Sequence, residues 1–86
     1  MEYTSVVGVM NDKSALLEVV IEPWAYSIFL RPGSRLSVEL TGSQRTEPLL
    51  GVRDDLVAVY ASSGCSCVVT VDGVKQDFPW LLMRSP

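Results

Sequence analysis

Residues 24–41, WAYSIFLRPGSRLSVELT, contain two runs in which large apolar side chains recur at every second position. The first run extends from Trp24 to Leu30. The second extends from Leu36 to Leu40, with polar residues at the intervening positions. A period of two is typical of a strand with one buried face. Because Pro32-Gly33, between the runs, is a frequent β-turn pair, we predict a hairpin centred on it.

The rest of the chain has the same strand character, interrupted by turn-type residues. Asp72-Gly73 is typical of the type I′ turn of a tight hairpin, and the polar residues 42–48 predict a loop. No segment has a helical apolar period with caps. The sequence therefore predicts an all-β fold, a small antiparallel β-sandwich or barrel of six to eight short strands. The predicted strands are residues 3–10, 15–22, 24–30, 35–41, 49–52, 56–61, 65–71 and 74–78.

The apolar content is high for the length of the chain. Of the 86 residues, 48% are hydrophobic, whereas a domain of this size buries only about 60–65% of its unfolded surface. We therefore expect a homo-oligomer, or another protein partner, to cover part of the apolar surface. Residues 1–78 are predicted to form a single domain, and residues 79–86 an apolar tail packed on it or on a neighbouring chain. The predicted oligomer interface is Trp80, Leu81, Leu82 and Met83.

The chain contains no histidine, so the usual side chain for proton transfer at neutral pH is missing. Ser-His-Asp catalysis and histidine-based metal sites are excluded within the chain. The net charge of −3 disfavours a nucleic-acid partner. No apolar run approaches the roughly 18 residues of a membrane span, and the N-terminus is unlike a signal peptide. We therefore expect a cytoplasmic protein that is not an enzyme, with no catalytic residue and no cofactor.

Several segments together resemble small uncharacterised bacterial all-β proteins, over roughly residues 15–75. The segments are Glu22-Pro23-Trp24, residues 29–40, Val59-Tyr60 and residues 71–74. The L-x-P-G-x-x-L-x-V stretch of residues 30–38 also resembles a turn-and-strand element of cupredoxin-like and cupin-like folds. Those families bind metals through histidine, which this chain lacks, so the resemblance implies a fold and no metal chemistry.

Cys65-Ser66-Cys67 is the first candidate site. Residues i and i+2 of a strand share a face, and their Cα atoms lie about 6.7 Å apart, at the upper limit for a disulfide. Two thiolates would supply half of a tetrahedral zinc site, or a nucleophile for a Cys-dependent activity. The interpretation we favour is two small buried hydrophobic residues in a strand.

Glu22, Trp24 and Tyr26 form the second candidate site. Two aromatic rings beside a carboxylate suit a carbohydrate or a small apolar ligand. The alternative that we favour is that both rings close the end of the core. The primary functional hypothesis is accordingly a non-enzymatic interaction module that self-associates, and the second is a ligand-binding β domain.

Two carboxylate pairs complete the candidates. Asp54-Asp55 has the chemistry of a calcium ligand, but adjacent aspartates in a turn are usually solvated. Glu18 and Glu22 would lie about 13 Å apart on a strand, too far for a glycosidase pair. We expect neither pair to be catalytic.

Overall fold

The computed structural model describes residues 2–45, 47–62 and 64–77, which form eight strands and no helix. Eight is the upper limit of the predicted range. The described residues thus contain no helix of the length and hydropathy needed to cross a bilayer. The strands are β1 (Tyr3–Met10), β2 (Leu17–Glu22), β3 (Tyr26–Leu30), β4 (Arg35–Gly42), β5 (Leu49–Arg53), β6 (Leu56–Tyr60), β7 (Ser66–Val71) and β8 (Val74–Lys75).

The strands form two four-stranded sheets. Sheet 1 has the order β1-β4-β7-β8 and sheet 2 the order β3-β2-β6-β5. The predicted all-β class is confirmed, and of the two predicted architectures the structure shows the sandwich. Neighbouring strands are antiparallel except β2 and β6, which run parallel. Sheet 1 is antiparallel, as predicted for the sandwich, and sheet 2 is mixed because of this one parallel pair.

The predicted hairpin around Pro32-Gly33 is wrong. β3 pairs with β2 in sheet 2, whereas β4 pairs with β1 and β7 in sheet 1. The predicted turn itself exists, since the Ser34 N–H donates to the Arg31 carbonyl at 3.0 Å and Gly33 has φ 81°. Proline before a glycine of positive φ makes a type II turn. Turns of that type splay the flanking strands, and here the chain passes from one sheet to the other.

The predicted Asp72-Gly73 hairpin is confirmed. Both residues have positive φ, 50° and 83°, as a type I′ turn requires. The Asp72 carboxylate also accepts the Arg35 backbone N–H at 2.9 Å. This hydrogen bond, with a second from the Ser34 hydroxyl, lowers the pKa of Asp72. The turn between β7 and β8 is thereby fixed to the start of β4.

The core lies between the sheets and follows the alternation of the sequence. Every second residue of β2 and of β4 is buried, and the intervening residues face outward. Each large aliphatic side chain buried in this way contributes about 1.5–3 kcal/mol. The buried cluster consists of Leu17, Val19, Ile21, Leu30, Leu36, Val38, Leu40, Val59, Cys67 and Val69.

Asn11, directly after β1, is a fully buried polar residue. Its amide group donates to the carbonyls of Ala15 at 2.9 Å and Leu30 at 2.8 Å, and its side-chain oxygen accepts the Lys13 N–H. Its backbone pairs with Ser34 and Gly33 of the sheet-to-sheet turn. The chain wraps around Asn11 at this point, which explains why β2 begins at Leu17 and not at the predicted residue 15.

Replacing Asn11 with alanine should lower the free energy of unfolding by about 3 kcal/mol, because two carbonyls and one N–H lose their partner. Chemical denaturation monitored by tryptophan fluorescence measures the change. Asp12→Ala, at the exposed neighbouring position, is the control and should change stability by less than about 0.5 kcal/mol. Equal stabilities for the two variants would contradict the structural role of Asn11.

Candidate functional site

The two rings of the predicted aromatic platform do not lie side by side on an exposed surface. Trp24 lies in the turn between β2 and β3, Tyr26 begins β3, and both are half-buried against the core. The indole Nε1 of Trp24 is buried without a hydrogen-bond partner among the residues that the structure describes. The two side chains thus occupy the place that the core interpretation gives them.

Glu22, the third residue of the predicted site, faces outward from sheet 2. It ends β2 and is half-buried. Its Oε1 accepts the backbone N–H of Ala25 at 3.0 Å, where the chain has a φ of 56°. One oxygen thus stabilises the turn, while Oε2 has no hydrogen-bond partner in the described part of the chain.

The cysteines are both buried, with 8% of Cys65 and none of Cys67 exposed. Gly42 permits the close packing of Cys65, since a Cβ at position 42 would lie 3.1 Å from the Cys65 Sγ. Burial, with a smaller effect of Cys65, raises the pKa of the Cys67 thiol to about 11. The thiolate is the form that attacks substrates and binds metals. A thiol held protonated at neutral pH therefore favours a packing role.

The residues of the two carboxylate pairs make hydrogen bonds within the fold and do not form a site. Asp54 and Asp55 are exposed in the turn between β5 and β6, as predicted. The Asp54 carbonyl accepts the Lys13 ammonium, and the Asp55 carbonyl accepts the Glu18 N–H. The Glu18 carboxylate accepts the Ser27 hydroxyl at 3.0 Å. Within residues 2–45, 47–62 and 64–77, no three Cys, Asp or Glu side chains come together as a metal site.

A shallow concavity of about 430 Å³ lies on the outer face of sheet 2. The parallel register places Glu22 beside Tyr60 of β6, and β5 adds Gly51 and Arg53. Glu22 was among the predicted site residues, but Tyr60 and Arg53 were not. Sequence periodicity assigns a residue to a face of its own strand and does not reveal which strand lies beside it. The principal lining residues are Val20, Glu22, Gly51, Arg53, Ala58 and Tyr60.

The edge strand β5 forms a second unusual surface, because it carries exposed apolar side chains on both of its faces. Leu49, on the outer face, is 61% exposed. Leu50 and Val52 pair with Val59 and Val57 and therefore share the inner face, yet they are 51% and 73% exposed. Sheet 1 thus leaves the inner face of β5 uncovered. The predicted interface from Trp80 to Met83 lies outside the described residues.

The raised pKa of Cys67 predicts a loss of stability at alkaline pH. The unfolded thiol ionises near pH 9, whereas the folded thiol stays protonated up to about pH 11, so the unfolded state binds fewer protons between these values. Stability therefore falls as the pH rises from 9 to 11, by about 2–3 kcal/mol in total. Denaturation at several pH values, compared with Cys67→Ala, measures this contribution. Parallel pH profiles for the two proteins would show that the thiol is not protected.

Comparison of the chain with protein-family models, with curated proteins and with solved structures gave no match. The resemblance to small bacterial all-β proteins and to the cupredoxin-like and cupin-like turn element therefore stays a prediction.

Proposed function

We propose that this chain is a non-enzymatic β-sandwich interaction module that self-associates by pairing β5 with β5 of a second copy. The observation that carries the proposal is an edge strand with exposed apolar side chains on both faces. Such an edge is a template for pairing with another strand. Antiparallel addition would extend sheet 2 continuously across two copies.

The backbone groups available at this edge follow from the hydrogen bonds of β6. The Ala61 N–H donates to Glu22 and the Asp55 carbonyl accepts from Glu18, so the odd-numbered residues of β6 point towards β2. The even-numbered residues of β6 then point towards β5, where they pair with the odd-numbered residues of β5. The N–H and C=O groups of Leu50 and Val52 consequently point away from β6, to the free edge.

The side chains of β5 complement a second copy in one register. A twofold axis through Gly51, perpendicular to the sheet, places Leu50 opposite Val52 of the second copy and preserves which face each residue occupies. The outward N–H and C=O groups of Leu50 and Val52 then satisfy one another. The same pairing brings the exposed apolar side chains of the inner face together as cross-strand neighbours. Pro48, which has no N–H, falls at the end of this pairing.

The other long edges are less suited to association. In β1, the inward side chains Val7 and Val9 already pack against the core. In β3, Tyr26 and Ile28 do the same, and Leu30 is buried. Only the outer faces of these edge strands remain exposed, whereas β5 would gain burial on both faces.

The variant Val52→Pro tests the proposal, because it removes an outward N–H without removing a bond between β5 and β6. Proline is tolerated at such an edge position. We expect a dimer for the unmodified chain and a monomer for Val52→Pro, measured by size-exclusion chromatography with light scattering at high micromolar concentration.

Val6→Pro is the matched control at the free edge of β1. The Asp72 N–H donates to the Arg35 carbonyl, so the even-numbered residues of β4 face β1, and the even-numbered residues of β1 point outward. Like Val52, Val6 is an exposed valine on an edge strand, with 63% of its surface exposed. Its replacement should leave the dimer intact. A monomeric unmodified chain, or a dimer that only Val6→Pro dissociates, would overturn the proposal.

A further inference from the structure

We infer that the concavity on the outer face of sheet 2 binds a neutral carbohydrate. This function goes beyond self-association and uses the outer face of sheet 2, with Val52 of the free edge also among the lining residues. A volume of about 430 Å³ lies within the usual range for small-ligand sites. The class of ligand follows from the ring, the floor and the charged groups around it.

The aromatic surface is Tyr60, which lies across Gly51 of the neighbouring strand. A Cβ at position 51 would lie 3.2 Å from the Tyr60 Cε2, so only the absence of a side chain there lets the ring approach the backbone so closely. Tyr60 remains 48% exposed. An aromatic ring supported on one side offers its other side to the apolar C–H face of a sugar.

The floor beside the ring is formed by small or aliphatic side chains. Ala58 is only 7% exposed, and Val20 and Leu56 lie next to it on β2 and β6. Together with Gly51, these residues leave a depression beside Tyr60 that no larger side chain fills. The site can therefore admit a ring-sized group without a change in the backbone.

The charged groups of the concavity favour a ligand that is polar but uncharged. Glu22 Oε2 and the Arg53 guanidinium have no partner among the residues described. The carboxylate only accepts hydrogen bonds and the guanidinium only donates them, whereas each sugar hydroxyl does both. A charged ligand would be attracted by one group and repelled by the other. A purely apolar ligand would bury polar groups without compensation, which costs free energy.

The test is a titration of the full chain, labelled with ¹⁵N, with cellotetraose, maltotetraose, xylotetraose and mannotetraose, followed by amide chemical shifts. We expect at least one of these sugars to shift the amides of Gly51, Arg53 and Tyr60 with an affinity in the millimolar range. Tyr60→Ala should weaken that binding by roughly tenfold, while Tyr60→Phe, which keeps the ring, should retain most of it. Glu22→Gln and Arg53→Gln should each weaken binding, while the dispersion of the amide signals shows that both variants remain folded.

Phe29→Ala is the matched control. Phe29 is an aromatic residue on the outer face of the same sheet, 62% exposed, but on β3 at the opposite edge, and its loss should leave sugar binding unchanged. The absence of shifts with all four sugars would overturn the inference. It would also be overturned by shifts that lie outside the concavity, or that persist undiminished in Tyr60→Ala.

Discussion

The fold depends on the hydrogen bonds of one buried polar residue, Asn11. Asn11 has no exposed surface, and burying its polar group is costly unless every partner is supplied. The partners of the side chain come from the loop before β2 and the end of β3, while the turn that leads into β4 pairs with the backbone of Asn11. Because these groups must meet at one point, the end of β1 in sheet 1 is tied to the end of β3 in sheet 2. The relation between the two sheets is set there by hydrogen bonds as well as by apolar packing.

The sequence predicted the local features of the fold, but it did not predict which strands pair. Alternation in residues 24–41 located two strands correctly, because the period of a strand is a local property. The partners of those strands were not local, and the predicted hairpin was wrong. Pro32 cannot adopt the positive φ that the first central residue of a type I′ or II′ turn needs, so the turn chemistry itself argued against a hairpin. At Asp72-Gly73 both residues accept positive φ, and there the prediction was right.

The candidate site illustrates how a turn changes the face on which a residue lies. On one continuous strand, Glu22, Trp24 and Tyr26 would share a face. The chain instead reverses between β2 and β3, so that Glu22 faces outward while Tyr26 packs inward. Tyr60 joins Glu22 through the parallel pairing of β2 with β6, two segments far apart in the chain, for which a single sequence offers no signal. Arg53 is added by the antiparallel pairing of β5 with β6. For the cysteines, burial was the interpretation that we favoured. Alternation with Val69 in β7 agrees with the burial of Cys67, whereas Cys65 lies just before β7 and packs against Gly42.

The apolar excess of the sequence is explained in part by a single strand. The inner-face side chains of β5 stay exposed, and the strand carries no inward charge or bulge of the kind that protects free edges. Gly51 lies at the centre of β5 and contributes both to the concavity and to the proposed β5 pair. Without a side chain, it lets Tyr60 lie over the outer face, and it would stand on the twofold axis of a β5 pair. Pairing of the edge would extend sheet 2 sideways and would not place a strand over the outer face, on which Tyr60 lies. The proposed interface and the proposed ligand site therefore meet on one short strand, because Val52 and Arg53 line the concavity and would also face the second copy in a β5 pair.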